Sequence, residues 1–182
     1  MKNLALTLAL FVTCLPVAAQ QFWHETKFGM SRVQVKTLIG PKLKMDDDNS
    51  LTLENHDFCG GPFDVNFHFK EDRLEQVSLV AGVPVGLRLE MAAILNKPIT
   101  SENAQLHQMT LALLHTRISV TMDAINQCAI SEYSAAYGKP IRREADSAGV
   151  YQFIRAQTSV KLVTSSNEYP ITITYTLRLK GL

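Results

Sequence analysis

The sequence predicts an α+β protein made of two tandem helix-plus-antiparallel-sheet units, with the helices packed on one sheet face. Three observations predict it: a capped amphipathic segment at 28–44, runs of alternating apolar and polar residues after it, and the same order repeated in the second half. The expected divisions are a signal peptide at 1–19, a first unit at 20–81, a helical spacer at 82–118 and a second unit at 119–182.

The N-terminal segment has the features of a secretory signal peptide. Lys2 precedes the apolar run LALTLALFV, and the small residues of PVAAQ favour cleavage after Ala19. Lipidation at Cys14 is the alternative, but the residues before this cysteine fit lipoprotein processing poorly. The apolar run is shorter than the roughly 20 residues that a membrane span needs. No later segment is long enough either, so we expect an exported protein without a stable membrane span.

Composition narrows the class of partner. The chain has 182 residues with 18 Lys and Arg against 17 Asp and Glu, a formal net charge of +1. Because nucleic acids and anionic membranes are bound through basic patches, near-neutrality argues against either as an obligate partner. Once the signal peptide is removed, Cys59 and Cys128 are the remaining cysteines, and in an exported chain they predict one disulfide.

The first predicted element is a short helix in FGMSRVQVKTLIGPKLK. Ser31 and Gln34 form an S-x-x-Q capping box, and Gly40 followed by Pro41 ends the helix. The apolar stripe consists of Val35, Leu38 and Ile39. Since no His or Asp lies nearby to activate Ser31, the segment predicts a helix start and no catalytic site.

Strand-like sequence follows this helix. LTLEN alternates weakly, HDFCGGP is typical of a turn, and FDVNFHFK alternates cleanly between phenylalanine or valine and polar residues. EDR makes a tight connection, and LEQVSLV is expected to return as the antiparallel partner. The first unit is therefore predicted as a helix and three strands.

The spacer and the second half also contain patterns typical of helices and strands. GLRLEMAAILNKP and SENAQLHQMTLALLHT are predicted as two helices of the spacer, and TMDAINQCAISEYSAAYGKP as the helix of the second unit. IRRE at 141–144 is predicted as a basic loop. Three strands are expected in GVYQFIRA, SVKLVTS and YPITITYTLRL, the last with isoleucine, tyrosine and leucine alternating with threonine.

The motif FGMSRVQVKTLIGPKL followed by FDVNFHFKEDRLEQVSLV resembles a family of exported small α/β proteins. That family includes BamE-type (SmpA/OmlA) outer-membrane lipoproteins and the beta-lactamase inhibitory protein. The matching positions are Gly29, Met30, Ser31, Val35, Ile39, Gly40, Phe67, Phe69, Leu74 and Val77. The resemblance implies a protein that binds other proteins or assists assembly, and the inhibitor member presents a concave sheet surface to its target. The spacer at 82–118 has no counterpart in this motif.

One surface is a candidate for binding. If the two sheets are continuous, the polar side of the alternating strands forms a face opposite the helices. Its predicted members are Asn66, His68, Thr172, Thr174, Thr176 and Arg178. Threonine is also simply a good strand former, so a plain solvated face is the competing interpretation.

Sites for chemistry are weakly indicated. His56 and His68 flank Cys59, but a zinc site needs about four ligands at close spacing, so no metal or other cofactor is predicted. DDDNS at 46–50 lacks the glycine and the closing glutamate of a calcium loop. A nucleophilic Cys59 paired with His56 or His68 would require the thiol to stay free.

The sequence therefore predicts a non-catalytic exported protein-binding module, periplasmic or secreted, acting as inhibitor, immunity factor or envelope-assembly accessory. The expected partner is a protein of the cell envelope or outside the cell. Two alternatives stay open: an exported thiol or hydrolytic enzyme using Cys59 with a histidine, and a carrier holding a small ligand or lipid between sheet and helices.

Overall fold

The computed structural model describes residues 23–47, 49–145, 148–155, 157–165 and 171–177. The predicted signal peptide and Cys14 lie outside these residues. In the described part, three helices and eight strands follow one another in this order: α1 (Arg32–Ile39), β1 (Lys44–Asp47), β2 (Ser50–Phe58), β3 (Gly61–Lys70), β4 (Arg73–Ala81), α2 (Val85–Leu95), α3 (Ala104–Tyr137), β5 (Ile141–Ala145), β6 (Ala148–Arg155), β7 (Thr158–Ser165) and β8 (Ile171–Leu177).

The local signals of α1 are confirmed. Ser31 Oγ accepts a hydrogen bond from the backbone N–H of Gln34 at 3.3 Å, and Gln34 Oε1 accepts one from the Ser31 N–H at 2.8 Å. These reciprocal bonds satisfy two donors of the first turn. Gly40 follows the helix with φ 94°, a conformation that favours glycine.

Two hairpins of the first half turn on two residues each. Cys59 and Gly60 link β2 to β3 with φ of 55° and 73°, and Glu71 and Asp72 link β3 to β4 with φ of 50° and 58°. Positive φ at both central residues is the pattern of the type I′ turn, whose twist matches that of the flanking strands. As a result the turn predicted over HDFCGGP shrinks to two residues, and β2 extends to Phe58.

All eight strands form a single antiparallel sheet in the order β1-β2-β3-β4-β8-β7-β6-β5. The prediction of two tandem helix-plus-sheet units is therefore wrong. The physical reason is the pairing of β4 with β8, in which Ser78 lies opposite Thr174. This pairing joins the two halves and removes the open edge that each would otherwise expose. Each half also contributes four strands where three were predicted, since β1 and β5 are added at the edges.

The long helix α3 also crosses a predicted division. It runs for 34 residues, so the two helices predicted on either side of residues 118 and 119 are one. No glycine or proline interrupts the chain between Ile99 and Tyr137, and nothing in it ends a helix. The predicted strand periodicity of the second half is confirmed in β6, β7 and β8, whereas the basic loop at 141–144 is part of β5.

The core lies between α3 and one face of the sheet. Met122, Ile125, Ala129 and Tyr133 of α3 are buried, as are the alternate residues of the central strands: Phe63, Val65, Phe67, Leu79, Ile173 and Tyr175. A Cβ added to Gly61 would lie 2.5 Å from the Cδ1 atom of Ile125, so glycine allows the close approach of β3 to the helix.

The predicted disulfide is present between Cys59 and Cys128, with the two Cα atoms 5.8 Å apart. It joins the β2–β3 turn to the C-terminal third of α3. The link crosses 69 residues of sequence and fastens the first half of the sheet to the helix that covers it.

Candidate binding face of the sheet

Alternation along β3 and β8 places the predicted face residues opposite the core. In β3, Phe67 and its alternate neighbours are buried, while Asn66 is half-buried and His68 is exposed. In β8, Ile173 and Tyr175 are buried, and the threonines at 172, 174 and 176 are half-exposed. Since successive side chains of a strand point to opposite faces, these polar residues share the face away from α3.

The β4–β8 pairing brings the two halves of this face together. One cross-strand row contains Asn66, Ser78 and Thr174, because Ser78 is the partner of both others. Neighbouring strands lie about 4.8 Å apart, so Asn66 and Thr174 are separated by roughly 10 Å across the sheet. We call the polar side of the sheet, built on such rows, the polar face.

A second row runs parallel to the first. Gln76 lies between His68 and Thr176, paired with each. Thr172 belongs to a third row, opposite Val80 of β4. Five of the six residues predicted to line the face therefore share it, and the sixth, Arg178, lies outside the described residues.

Sequence reasoning missed the residues that join the two sets. Gln76 and Ser78 alternate with Val77 and Leu79, a signal that was visible in LEQVSLV. The alternation is interrupted because His68 pairs with Gln76 while Phe69 pairs with Leu74, which leaves Glu75 as an extra residue at a β-bulge. Beyond β8 the first row continues through Lys161 and Gln152 of the second meander.

Hydrogen bonds within the polar face hold several of its side chains in place. Thr52 Oγ1 donates to Asn66 Oδ1 at 2.7 Å, and His68 Nε2 lies 3.3 Å from Ser78 Oγ. Gln152 Nε2 donates to Ser159 Oγ at 3.1 Å. Side chains that are already ordered lose less conformational entropy when a partner binds.

A cleft of about 350 Å³ lies at one end of the polar face. Three of its lining residues belong to the second row, and the other four are three apolar residues and Glu75 at the bulge. Its lining residues are Phe28, His68, Phe69, Glu75, Gln76, Thr176 and Leu177. An apolar wall beside polar rows suits a partner side chain with an apolar body and a polar end.

The other candidate sites have structural roles in the described chain. Cys59 is held in the disulfide, and the ring of His56 packs edge-on against Trp23 with centroids 4.9 Å apart. In the acidic loop, Asp47 Oδ1 accepts from the backbone N–H of Asn49 at 2.7 Å. This bond is the main cause that lowers the pKa of Asp47. Asp48 lies outside the described residues.

Neither a metal cluster nor a membrane helix is found in the described ranges. Within 23–47, 49–145, 148–155, 157–165 and 171–177, no group of three or more His, Cys, Asp or Glu side chains could hold a metal ion. Over the same ranges, every helix is too short or too polar to cross a bilayer. The disulfide is compatible with an exported protein.

In comparisons with known proteins, no protein-family model matched the chain, and no curated protein or solved structure matched it significantly.

Proposed function

We propose that this chain is a non-catalytic, exported protein-binding module that binds a folded protein partner through the polar face. The observation that carries the proposal is the continuous eight-stranded sheet, which puts polar side chains from both halves in adjacent rows opposite the helix-covered face. Inhibition, immunity or envelope assembly are the roles we infer, and the periplasm or the outside of the cell is the compartment.

The size of the polar face supports a protein partner. Eight strands about 4.8 Å apart make a surface roughly 35 Å wide, and a seven-residue strand such as β8 makes its centre about 24 Å long. A standard protein–protein interface needs about 800 Å² on each partner, which this surface can provide. The BamE-type and beta-lactamase inhibitory protein resemblance of the helix-and-hairpin motif points to the same class of function.

The chemistry of the polar face favours hydrogen bonding over charge recognition. Its first two rows carry amides, hydroxyls and a histidine, with Lys161 further along the first row, and the third row adds one carboxylate, Asp64. A partner is therefore expected to present a polar, weakly charged surface, since a strongly charged one would find too few complementary groups.

The two alternatives find less support. A thiol enzyme needs a thiolate at Cys59, and the disulfide removes it while the protein is oxidised. A carrier needs space between sheet and helices, where Phe63, Phe153 and Tyr133 are buried in contact with the core.

Site-specific photocrosslinking in the native host tests the proposal. A photoreactive residue at position 174, the centre of the first row, should give a discrete crosslinked species identified by mass spectrometry. Excess purified wild-type protein should compete for it, and a Thr174→Arg competitor should not. The matched control carries the photoreactive residue at position 33, an exposed site on α1.

The affinity for the identified partner then shows whether the polar face is the binding surface. Thr174→Arg should weaken the affinity at least about 10-fold, measured by calorimetry on a variant shown to be folded by circular dichroism. Crosslinking at position 33 but not at 174, or an affinity that Thr174→Arg leaves unchanged, would contradict binding through this face.

A further inference from the structure

The outer side of α3 carries an apolar stripe that the polar face does not explain. Leu106, Met109, Leu113 and Val120 are 67%, 57%, 66% and 63% exposed. At 100° per residue these positions fall within about 60° of one another around the helix. We call these four residues the outer stripe.

The core-facing side of the same helix is apolar as well. Leu114 and Ile118 are buried, so the stretch from 106 to 120 is hydrophobic on two sides. A second exposed apolar stripe on an amphipathic helix indicates a second packing partner. The sheet and α2 cover one side, and the outer stripe is the other.

The polar residues beside the outer stripe are already satisfied. Thr110 Oγ1 donates to the Leu106 carbonyl at 2.8 Å, and Thr116 Oγ1 donates to the Ala112 carbonyl at 2.9 Å. Burying these hydroxyls at an interface would therefore cost no hydrogen bond. Arg117, on the same side of the helix, is bonded to Glu90 of α2, with 2.6 Å between Nη1 and Oε1.

The exposed apolar area is what a stable dimer needs. The α2–α3 hairpin and its connection expose four more large side chains: Val85, Leu89, Leu95 and Ile99. At roughly 60–100 Å² of apolar area per side chain, the eight together expose on the order of 500 Å². Such an area matches the apolar share of an interface that buries about 800 Å² per partner, and the Glu90–Arg117 bond joins the α2 and α3 surfaces.

The spacing of the outer stripe favours a second copy as the partner. Leu106 and Val120 each lie seven residues from Leu113, so these three positions are symmetric about Leu113, and Met109 would face the aliphatic stem of the partner's Arg117. An antiparallel pair of α3 helices related by a two-fold axis at Leu113 would place Leu106 against the partner's Val120. Seven-residue spacing is the repeat of helix–helix seams, and self-complementarity is what a two-fold interface requires. Between residues 85 and 123 three basic residues balance three acidic ones, so no net charge selects a charged partner or repels a second copy.

We propose that two copies of this chain associate through the outer stripe, with their α3 helices antiparallel and crossing at Leu113. This self-association uses the side of the molecule away from the polar face. A dimer would therefore present two polar faces, and each remains accessible to its own partner.

Analytical ultracentrifugation of the oxidised chain tests the proposal. The wild type should sediment as a dimer at micromolar concentrations, and Leu113→Glu should be monomeric, with a dissociation constant raised at least about 100-fold. An equimolar mixture of Leu113→Glu and Leu113→Lys should recover a dimer, because opposite charges would then meet at the axis. Val33→Glu, which removes an equally exposed apolar residue from α1, is the control and should stay dimeric.

Three results would contradict self-association through the outer stripe. A monomeric wild type would overturn the proposal. A Leu113→Glu variant that remains dimeric, or charge variants that fail to recover the dimer when mixed, would equally overturn it. None of these results depends on the partner of the polar face, so the two proposals fail independently.

Discussion

Two histidine rings and an indole pack together near the start of the described chain. His56 lies edge-on to Trp23 at 4.9 Å and to His24 at 5.3 Å between ring centroids. Partial burial is the main cause that lowers the pKa of His56, and the neighbouring His24 adds to it, whereas Asp57 opposes it. Protonation of His56 is therefore less favourable in the folded protein than in the unfolded chain.

This difference predicts a pH dependence with a definite sign. In the window from the ordinary pKa of about 6.5 downward, the unfolded chain binds the proton at position 56 more readily than the folded protein does. Stability should be fully present above that value and fall as the pH drops through it. We expect His56→Gln to flatten the decline in urea midpoint between about pH 8 and about pH 5.

Urea unfolding at several pH values checks this expectation. The control is His115→Gln, which removes a histidine from the exposed surface of α3. If His56→Gln and the wild type lost stability in parallel as the pH fell, the assignment to His56 would be wrong.

Residue-scale features of α1 were predictable because their causes are local. Ser31 and Gln34 need only three residues of separation to cap each other, and the structure confirms the pair. The face residues at 66, 68, 172, 174 and 176 were assigned from the two-residue period of a strand in the same way. The role of Gln76 and Ser78 between them required the register of β4 with β8, which no local pattern encodes.

At the scale of elements, a buried tyrosine pair joins α3 to β8. The hydroxyls of Tyr133 and Tyr175 are hydrogen-bonded to each other. Burial raises the pKa of both phenols, to well above the ordinary value for Tyr175, so the pair stays neutral at physiological pH. The bond fixes where the C-terminal part of the helix sits on the central strands.

Removing one hydroxyl of this pair should destabilise the fold by more than half as much as removing both. We expect Tyr133→Phe to destabilise the fold by about 1 kcal/mol through the lost hydrogen bond, and Tyr175→Phe by a similar amount. The double variant should cost less than the two single changes together, because no hydroxyl of the pair is left without the other. Chemical denaturation of the four proteins measures this coupling.

Tyr151 of β6, half-buried against the core, provides the matched control. Combining Tyr151→Phe with Tyr175→Phe should be additive within about 0.5 kcal/mol. Additivity in the Tyr133 and Tyr175 cycle as well would show that the hydroxyl pair contributes no coupling.

Elements were harder to delimit than residues. Alternation identified β3 and β8, and helical spacing identified both parts of α3. The division at 118 and 119 failed because it was inferred from a repeat of element order, while the chain between them contains no residue that ends a helix. Periodicity defines the type of an element better than its limits.

For the whole molecule, the long-range pairing of β4 with β8 determines the architecture. The pairing of Ser78 with Thr174 joins residues 96 positions apart in sequence, and it turns two meanders into one sheet. The sequence does not show which strand pairs with the open edge of β4, because any strand with alternating residues can pair with another. This is why the sequence predicted the polar strands correctly and the two-unit architecture wrongly.

A single sheet tied to its covering helix by a disulfide should unfold as one unit. Trp23, the only tryptophan, lies in the first half and reports on it through its contact with Phe67 at 5.8 Å between ring centroids. Because β4 and β8 pair and the disulfide ties the first half to α3, tryptophan fluorescence and far-ultraviolet circular dichroism should give coincident urea midpoints.

Cys59→Ala/Cys128→Ala should lower the free energy of unfolding by about 4 kcal/mol, the chain entropy that a loop of this length removes from the unfolded state. Its two probes should still coincide, since the β4–β8 pairing remains. Separate midpoints in the wild type would mean that the halves fold independently, and an unchanged stability in the double variant would contradict the role given to the disulfide.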